Sequence, residues 1–180
     1  MVSFTQSERR ASLGLASVFS LRMFGLFVIL PVVALYANSM PGGESATLIG
    51  LAVGIYGLTQ AIFQIPLGRL SDYWGRKKTI YLGLLIFILG SLVAASADSL
   101  LWLCIGRAIQ GAGAISSAVI ALNADLTRDE VRTKSMAVIG VTIGLTFILS
   151  IVLGPVLDSI VGLPGIFLIT ALLTLAAMVI

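Results

Sequence analysis

The sequence is poor in charged residues. Asp, Glu, Lys and Arg make up 11% of its 180 residues, whereas about 25% is typical of soluble globular domains. So few charges cannot cover the surface of a water-soluble domain of this size, whereas the hydrocarbon core of a bilayer is best crossed without them. The composition therefore excludes an ordinary soluble domain and favours a membrane protein.

Two chemically versatile residue types are also scarce. Histidine is absent, and Cys104 is the single cysteine, so the chain offers no intrachain disulfide and few ligands for zinc. An intramembrane serine protease would need a histidine or lysine partner at depth, and an aspartyl protease would need two aspartates there; the apolar runs contain neither. We therefore predict that the protein is not an enzyme and has no metal site and no cofactor.

Long uncharged runs are what the sequence has in abundance. Because a helix needs about 20 mainly apolar residues to cross a bilayer, the runs predict an all-α membrane protein with six spans. These spans cover about residues 11–36, 46–69, 79–97, 100–122, 135–157 and 163–180. The first run is too long for a signal peptide and contains Arg22, so we interpret it as a retained helix.

The basic residues predict the orientation of these spans. Nine of the eleven lie in segments that six alternating spans bring to one side: Arg9, Arg10, Arg69, Arg76, Lys77, Lys78, Arg128, Arg132 and Lys134. By the positive-inside rule this side is cytoplasmic, and so is the N-terminus. The net charge of +3 follows from this topology, and we predict no nucleic-acid partner.

The stretch GRLSDYWGRKKTI, residues 68–80, contains more than an orientation signal. Asp72 adds nothing to such a signal, and Gly68 and Gly75 permit close approach and backbone angles that other residues avoid. Arg76 offers a rigid fork of donors for a carboxylate. We predict that these residues form a conformational lock between helices.

Three motifs lie on three different spans. The first, between spans two and three, comprises Gly68, Leu70, Ser71, Asp72, Gly75, Arg76, Lys77 and Ile80. The second, RAIQGAG in span four, contains Arg107, Gln110, Gly111 and Gly113. The third, SIVLGPVLDS in span five, contains Gly154 and Pro155. In all three the chain resembles the major facilitator superfamily, and in particular its drug:proton antiporters with twelve helices.

The resemblance implies a fold and a mode of action. It implies two inverted three-helix repeats, residues 1–97 and 98–180, which together form the N-terminal six-helix half of a transporter of the bacterial inner membrane. The C-terminal half would be a partner within the same protein. Two such halves rock around a central site, so that a small-molecule substrate is exported, with protons as the coupling ion. In the family, spans one and four line the cavity, while spans two and five face the other half.

The resemblance also assigns roles within the conformational lock. It implies that Arg76 pairs with Asp125 at the cytoplasmic end of span four. Asp72 would cap a helix of the second half, and Lys77 belongs to the same motif. These contacts would hold the cytoplasmic side closed.

The interior of the bundle is predicted to contain the substrate or proton pathway. Arg22 and Arg107 are the charges deepest in the membrane, and an arginine that faces lipid costs roughly 3 kcal/mol or more, so both should face inward. Gln60 and Gln64 lie four residues apart on one face of span two with Tyr56. These two glutamines could either form hydrogen bonds between helices or contact the substrate. We assign Gln110 to the same set of candidate pathway residues.

Glycines are predicted to let helices pack closely. Gly140, Gly144 and Gly154 form a small-residue face in span five, Gly111 and Gly113 belong to the span-four motif, and Pro155 is expected to bend its helix. The antiporter motif departs from its usual form, because Ser150 replaces its first glycine and Asp158 and Ser159 stand near its end. This departure weakens the case for antiport.

The acidic residues limit how transport could be coupled. All eight lie near a predicted membrane face, so we predict that, if protons drive transport, the central titrating residue lies in the C-terminal half. Two alternatives remain open. One is an anion uniporter or exchanger that uses the interior arginines, and the other is a membrane bundle that assembles without transporting.

Overall fold

The computed structural model describes residues 3–179, and all the regular secondary structure in that range is helical. Seven α-helices follow in order: α1 Gln6–Phe27, α2 Ile29–Tyr36, α3 Ala46–Trp74, α4 Arg76–Ala95, α5 Leu100–Ala112, α6 Ser116–Leu126 and α7 Asp129–Ala177. A short 3-10 turn, Ala37–Ser39, follows α2. The predicted all-α class is confirmed. Ile180, the last residue of the sixth predicted span, lies outside the described residues.

Two of the predicted spans are each built from two helices. The first consists of α1 and α2, with a break at Val28 that leaves the chain helical in its dihedral angles. The fourth consists of α5 and α6, separated at Gly113, whose ψ of 38° ends α5. The stretches 6–33 and 100–126 are long and apolar enough to cross a membrane.

The last helix, α7, covers two of the predicted spans. Its 49 residues would extend about 74 Å as one straight helix, but Gly162 has φ 65° and ψ 176°, which no helix accommodates. Ile139 and Ala177 belong to the same apolar cluster, although a straight helix would hold them about 57 Å apart. The chain therefore turns back at Gly162, between the predicted spans 135–157 and 163–180.

The boundaries around residues 69–79 differ from those predicted. Residues 70–78 were expected to connect spans two and three, but α3 continues to Trp74 and α4 begins at Arg76. The reason is that a helix need not end where its apolar run ends, because charged side chains are accommodated on the turns that emerge into water.

Two apolar clusters hold the helices together. One surrounds Val28, Val32, Leu103 and Phe167, and the other surrounds Phe19, Leu84, Ile115 and Ile139. Helix α1 packs on α7, while α3 and α4 pack on α5, so helices from the two predicted repeats interleave in one bundle. The division of the repeats at residue 97 stays a prediction.

Candidate functional site

Helices α3 and α4 meet at Gly75, the single residue between them. Its φ of 104° and ψ of 142° lie where residues with a Cβ are strained and glycine is not. Because one residue separates the helices, Asp72 and Arg76 occupy fixed helical positions on either side of the junction. Glycine is therefore favoured at position 75 because of the backbone conformation of this junction.

Arg76 is the centre of a polar corner, which we define as Ser71, Asp72, Arg76 and Asp125. Its Nε donates to Asp125 Oδ2 at 3.3 Å, and its Nη1 donates to Ser71 Oγ at 2.8 Å and to the Asp72 carboxylate. The Asp72 carboxylate, followed by that of Asp125, raises the pKa of Arg76 above its ordinary value. The structure therefore brings Arg76 and Asp125 together, as the resemblance implied.

The other residues of this motif have varied surroundings. Asp72 pairs with Arg76, yet its side chain is 57% exposed, so it retains an accessible surface for a further contact. Lys77 is exposed and forms no ion pair with residues 3–179. A Cβ on Gly68 would lie 3.1 Å from Ser117 Oγ, so α3 passes close to α6 at this position.

A second ion pair, which sequence reasoning missed, lies at the same end of the bundle. Arg128 Nε donates to Glu8 Oε1 at 2.7 Å, and its Nη2 donates to Oε2 at 3.0 Å. Thr5 and Glu8 also form a capping box at the start of α1. Arg128, followed by Thr5, holds the pKa of Glu8 well below its ordinary value. The signal that could have revealed the cap is Thr5 followed three residues later by Glu8.

Beneath this pair, three buried polar side chains join α1, α6 and α7. Ser135 Oγ donates to Asn123 Oδ1 at 2.5 Å. Since a hydroxyl has one proton to donate, Ser12 Oγ is the donor to Ser135 Oγ at 2.6 Å. The start of α1 is therefore attached to α7 by both charge and hydrogen bonds.

Arg22 lies inside the bundle, where it is 1% exposed. Its Nη2 donates to the Gly113 carbonyl at 3.2 Å and to Gln60 Oε1 at 3.4 Å. The gap between α5 and α6 leaves the Gly113 carbonyl available, because helical bonding to residue 117 is interrupted there. The guanidinium also lies 5.6 Å from the centre of the Phe87 ring.

Arg107 is fully buried beside it. Its Nη1 donates to Gln110 Oε1 at 3.0 Å, and Gln110 Nε2 donates in turn to Ser91 Oγ at 2.7 Å. The Arg107 guanidinium lies 4.9 Å from the centre of the Tyr56 ring, and that of Arg22 lies 5.8 Å from it. Both arginines thus face the interior, as predicted, and one tyrosine ring links them.

This arginine pair has no carboxylate partner among residues 3–179. Several of its buried polar atoms also have no hydrogen-bond partner there, namely Nε and Nη1 of Arg22, Nε and Nη2 of Arg107, and the Tyr56 hydroxyl. Buried donors of this kind are costly when unsatisfied. The cluster therefore has unused capacity to bind an acceptor.

The two predicted glutamines of α3 behave differently. Gln60 is half-buried and accepts the bond from Arg22, so its side chain belongs to the interior cluster. Gln64 contributes its backbone carbonyl, which accepts from Ser117 Oγ at 3.2 Å. Of the pair, only Gln60 uses its side chain to join helices within the described chain.

The predicted packing glycines fall into two groups. A Cβ on Gly111 would overlap Thr59 Oγ1 and the Tyr56 carbonyl oxygen, and one on Gly113 would overlap the Gly83 carbonyl oxygen. These glycines let α5 lie against α3 and α4.

The glycines of α7 do not form one continuous packing face within the described chain. A Cβ on Gly154 would lie 2.8 Å from the Val28 carbonyl oxygen, whereas Gly140 and Gly144 have open space around them. The helix keeps helical dihedral angles through Pro155 and breaks at Gly162. The packing role of Gly140 and Gly144 therefore stays a prediction, because their side of α7 faces away from the part of the bundle that the structure describes.

Comparisons with known proteins agree with this architecture. The chain is 53% identical over 169 residues to the inner membrane transport protein YajR of Escherichia coli. These residues make up 94% of this chain and 37% of that protein. It is 34% identical over 140 residues to the class H tetracycline resistance protein of Pasteurella multocida, covering 77% of this chain and 34% of that protein. The chain thus spans less than half of the length of these relatives.

A solved structure supports the fold independently. The crystal structure of the peptide transporter POT in complex with alafosfalin superposes with a TM-score of 0.72, at 16% identity, over 97% of this chain and 41% of that one. At this identity the likeness concerns the fold alone. Residues 15–180 match the family described as Major Facilitator Superfamily, and the chain therefore belongs to that superfamily.

Proposed function

We propose that this chain is part of a secondary active transporter that exports small drug-like molecules or metabolites by alternating access. The proposed location is a bacterial inner membrane, with the N-terminus in the cytoplasm. Two relatives are named tetracycline resistance proteins, which favours efflux. The helices of the two predicted repeats, residues 1–97 and 98–180, would form one of the two rocking halves.

The observation that carries this proposal is the polar corner around Arg76. It joins the α3–α4 junction to the end of α6 through Asp72 and Asp125, while the Asp72 carboxylate remains accessible. A second half of the protein that contacts Asp72 would close the cytoplasmic side and favour the outward-open state. A coupling of about 1–3 kcal/mol would change the ratio of states about 5–150-fold.

Protons are the proposed coupling ion. Among residues 3–179 the interior cluster contains arginines, glutamines and a tyrosine but no carboxylate near them. A carboxylate in reach of the cavity is the usual group for proton exchange in the absence of histidine. We therefore place the titrating residue outside the described chain.

Transport of tetracycline into inverted membrane vesicles tests the conformational lock. For the full-length protein under an imposed proton gradient, we expect Asp72→Asn to slow uptake several-fold while tetracycline binding to the detergent-purified protein is unchanged. Asp129→Asn is the matched control, because Asp129 is an exposed acid that pairs with Arg132 within one helix. Normal uptake by the Asp72 variant, or an equal loss in the control, would contradict the lock.

The arginine pair favours a second candidate function, exchange or uniport of an anion. Its unpaired N–H groups suit an anionic or zwitterionic solute better than a cation. The dependence of flux on a proton gradient separates the two candidates. Export by antiport requires an inward proton gradient that drives the solute outward, whereas uniport or exchange of an anion follows the gradients of the anions and continues without a proton gradient.

A further inference from the structure

A cavity of about 230 Å³ opens between α1, α4, α6 and the end of α7. Its exposed side carries the side chains of Arg10, Lys77 and Tyr81. Its deeper wall is apolar and consists of buried residues, among them Leu15, Ile80 and Leu84. The cavity is therefore amphiphilic, with cations at the entrance and hydrocarbon inside.

The two cations at the entrance are not neutralised by the part of the protein that the structure describes. No Asp or Glu lines the cavity, and neither Arg10 nor Lys77 forms an ion pair within the range 3–179. By contrast, Arg76, Arg128 and Arg132 at the same end of the bundle all have carboxylate partners. An occupant that meets both cations would have to bring its own negative charge.

We propose that this cavity binds an anionic phospholipid. The phosphate lies between Arg10 and Lys77, and part of an acyl chain lies along Leu15, Ile80 and Leu84. Tyr81, which is 44% exposed, lies one turn inward from Lys77, as expected for an aromatic residue at the boundary between headgroups and hydrocarbon. Basic pockets between membrane helices are suited to lipid headgroups for the same electrostatic reason.

A lipid accounts for both parts of the cavity, whereas a soluble phosphate accounts for one. A free anion would be attracted by the two cations but would leave the apolar wall uncovered. An acyl chain removes that wall from water, which is favourable in proportion to the area covered. The proposal does not depend on what the protein transports.

Native mass spectrometry of the full-length protein in detergent tests this proposal. We expect one phosphatidylglycerol to bind several-fold more tightly than phosphatidylcholine with the same acyl chains. Arg10→Gln should weaken phosphatidylglycerol binding about fivefold, the typical effect of one basic residue near an anionic lipid surface. Ala11→Phe keeps both charges and fills the cavity, so it should also weaken binding.

Arg9→Gln is the matched control, because Arg9 is exposed, has the same charge and does not line the cavity. Binding by this control should equal that of the wild type. Equal losses in the Arg9 and Arg10 variants would overturn the site in favour of general surface charge. The proposal would also be overturned if the wild-type protein retained no phosphatidylglycerol. That result is expected if another segment of the protein fills the cavity. Displacement of the lipid by glycerol 1-phosphate would show a soluble anion to be the ligand instead.

Discussion

Arg76 lies at a corner of the bundle, where two carboxylates and a hydroxyl surround its guanidinium. Arg107 lies inside the bundle, where a glutamine and the face of a tyrosine ring take their place. The Arg76 side chain is 26% exposed, whereas Arg107 is fully buried. The same side chain is thus held by ionic partners near water and by dipoles and a ring inside.

This difference concerns how easily each contact can break. Near water, solvent satisfies any donor that loses its partner, and exposed ion pairs contribute about 0–1 kcal/mol. Inside the bundle, a donor that loses its partner costs about 1–3 kcal/mol. The polar corner is therefore suited to a contact that opens and closes, while the arginine pair with Tyr56 is suited to a fixed part of the structure.

The largest predicted effect comes from adding a methyl group to the interior. Gly111→Ala would place a Cβ against the Tyr56 carbonyl oxygen and Thr59 Oγ1. Because the first of these is backbone, α3 and α5 must separate, and overpacking of this kind costs about 1–3 kcal/mol or more. We expect thermal unfolding in detergent to occur several degrees lower than for the wild type.

Gly140→Ala supplies the contrast, because a Cβ at Gly140 meets nothing within 4 Å. Alanine is also the better helix former, so this variant should unfold at or slightly above the wild-type temperature. If Gly140→Ala lowered the unfolding temperature as much as Gly111→Ala, the predicted difference would be wrong. Such a result would reveal a close neighbour of α7 elsewhere in the full-length protein.

The same conservative substitution should have unequal effects in the two regions. A lysine at position 107 lacks the planar fork that donates to Gln110 while lying over the Tyr56 ring. We expect Arg107→Lys to lower stability by about 1–3 kcal/mol and Arg76→Lys by at most about 1 kcal/mol. Urea unfolding of the full-length protein, followed by circular dichroism, measures both. Equal losses of unfolding free energy would show that the polar corner is as constrained as the interior.

The smallest predicted effect is a change in how the stability of the protein depends on pH. Because Arg128 and Thr5 lower the pKa of Glu8 in the folded protein, Glu8 stabilises the fold fully above its unfolded pKa of about 4.5. This contribution decreases as the pH falls below that value towards the lowered folded pKa. The unfolding temperature of Glu8→Gln should therefore be below that of the wild type at pH 7, and the gap should narrow by pH 3.

Glu44→Gln is the control for this pH dependence. Glu44 is exposed and forms no ion pair with the rest of the described chain. Its variant should follow the wild type at every pH. A gap between wild type and Glu8→Gln that widens in acid would contradict the assigned sign.

Much of the polar corner was predictable from sequence because its parts lie close together in the chain. Asp72, Gly75 and Arg76 fall within five residues, and a glycine in an otherwise continuous pattern indicates an unusual backbone angle. The Glu8–Arg128 pair was not predictable in this way. Its members are 120 residues apart, and nothing local to either residue specifies the other.

The interior was predictable in part. The cost of an arginine in lipid places Arg22 and Arg107 inside the bundle from sequence alone. Their common contact with Tyr56, and the acceptance of an Arg22 bond by the Gly113 carbonyl, depend on how α3 and α5 are rotated against α1. The open surroundings of Gly140 and the clash-free fit of Gly111 likewise depend on which side of each helix is covered.

By itself, the sequence determined that the chain is helical, and it predicted six membrane spans and the two arginines that avoid lipid, because each of these follows from the transfer of side chains and backbone from water to lipid. Only the tertiary structure decided which partners those charges have, where a Cβ would not fit, and that two cations without an ion pair in residues 3–179 flank an apolar cavity. These features depend on how helices distant in sequence are rotated and packed against one another. Transfer free energies do not specify that packing, because an apolar side chain is equally well accommodated by lipid and by another helix.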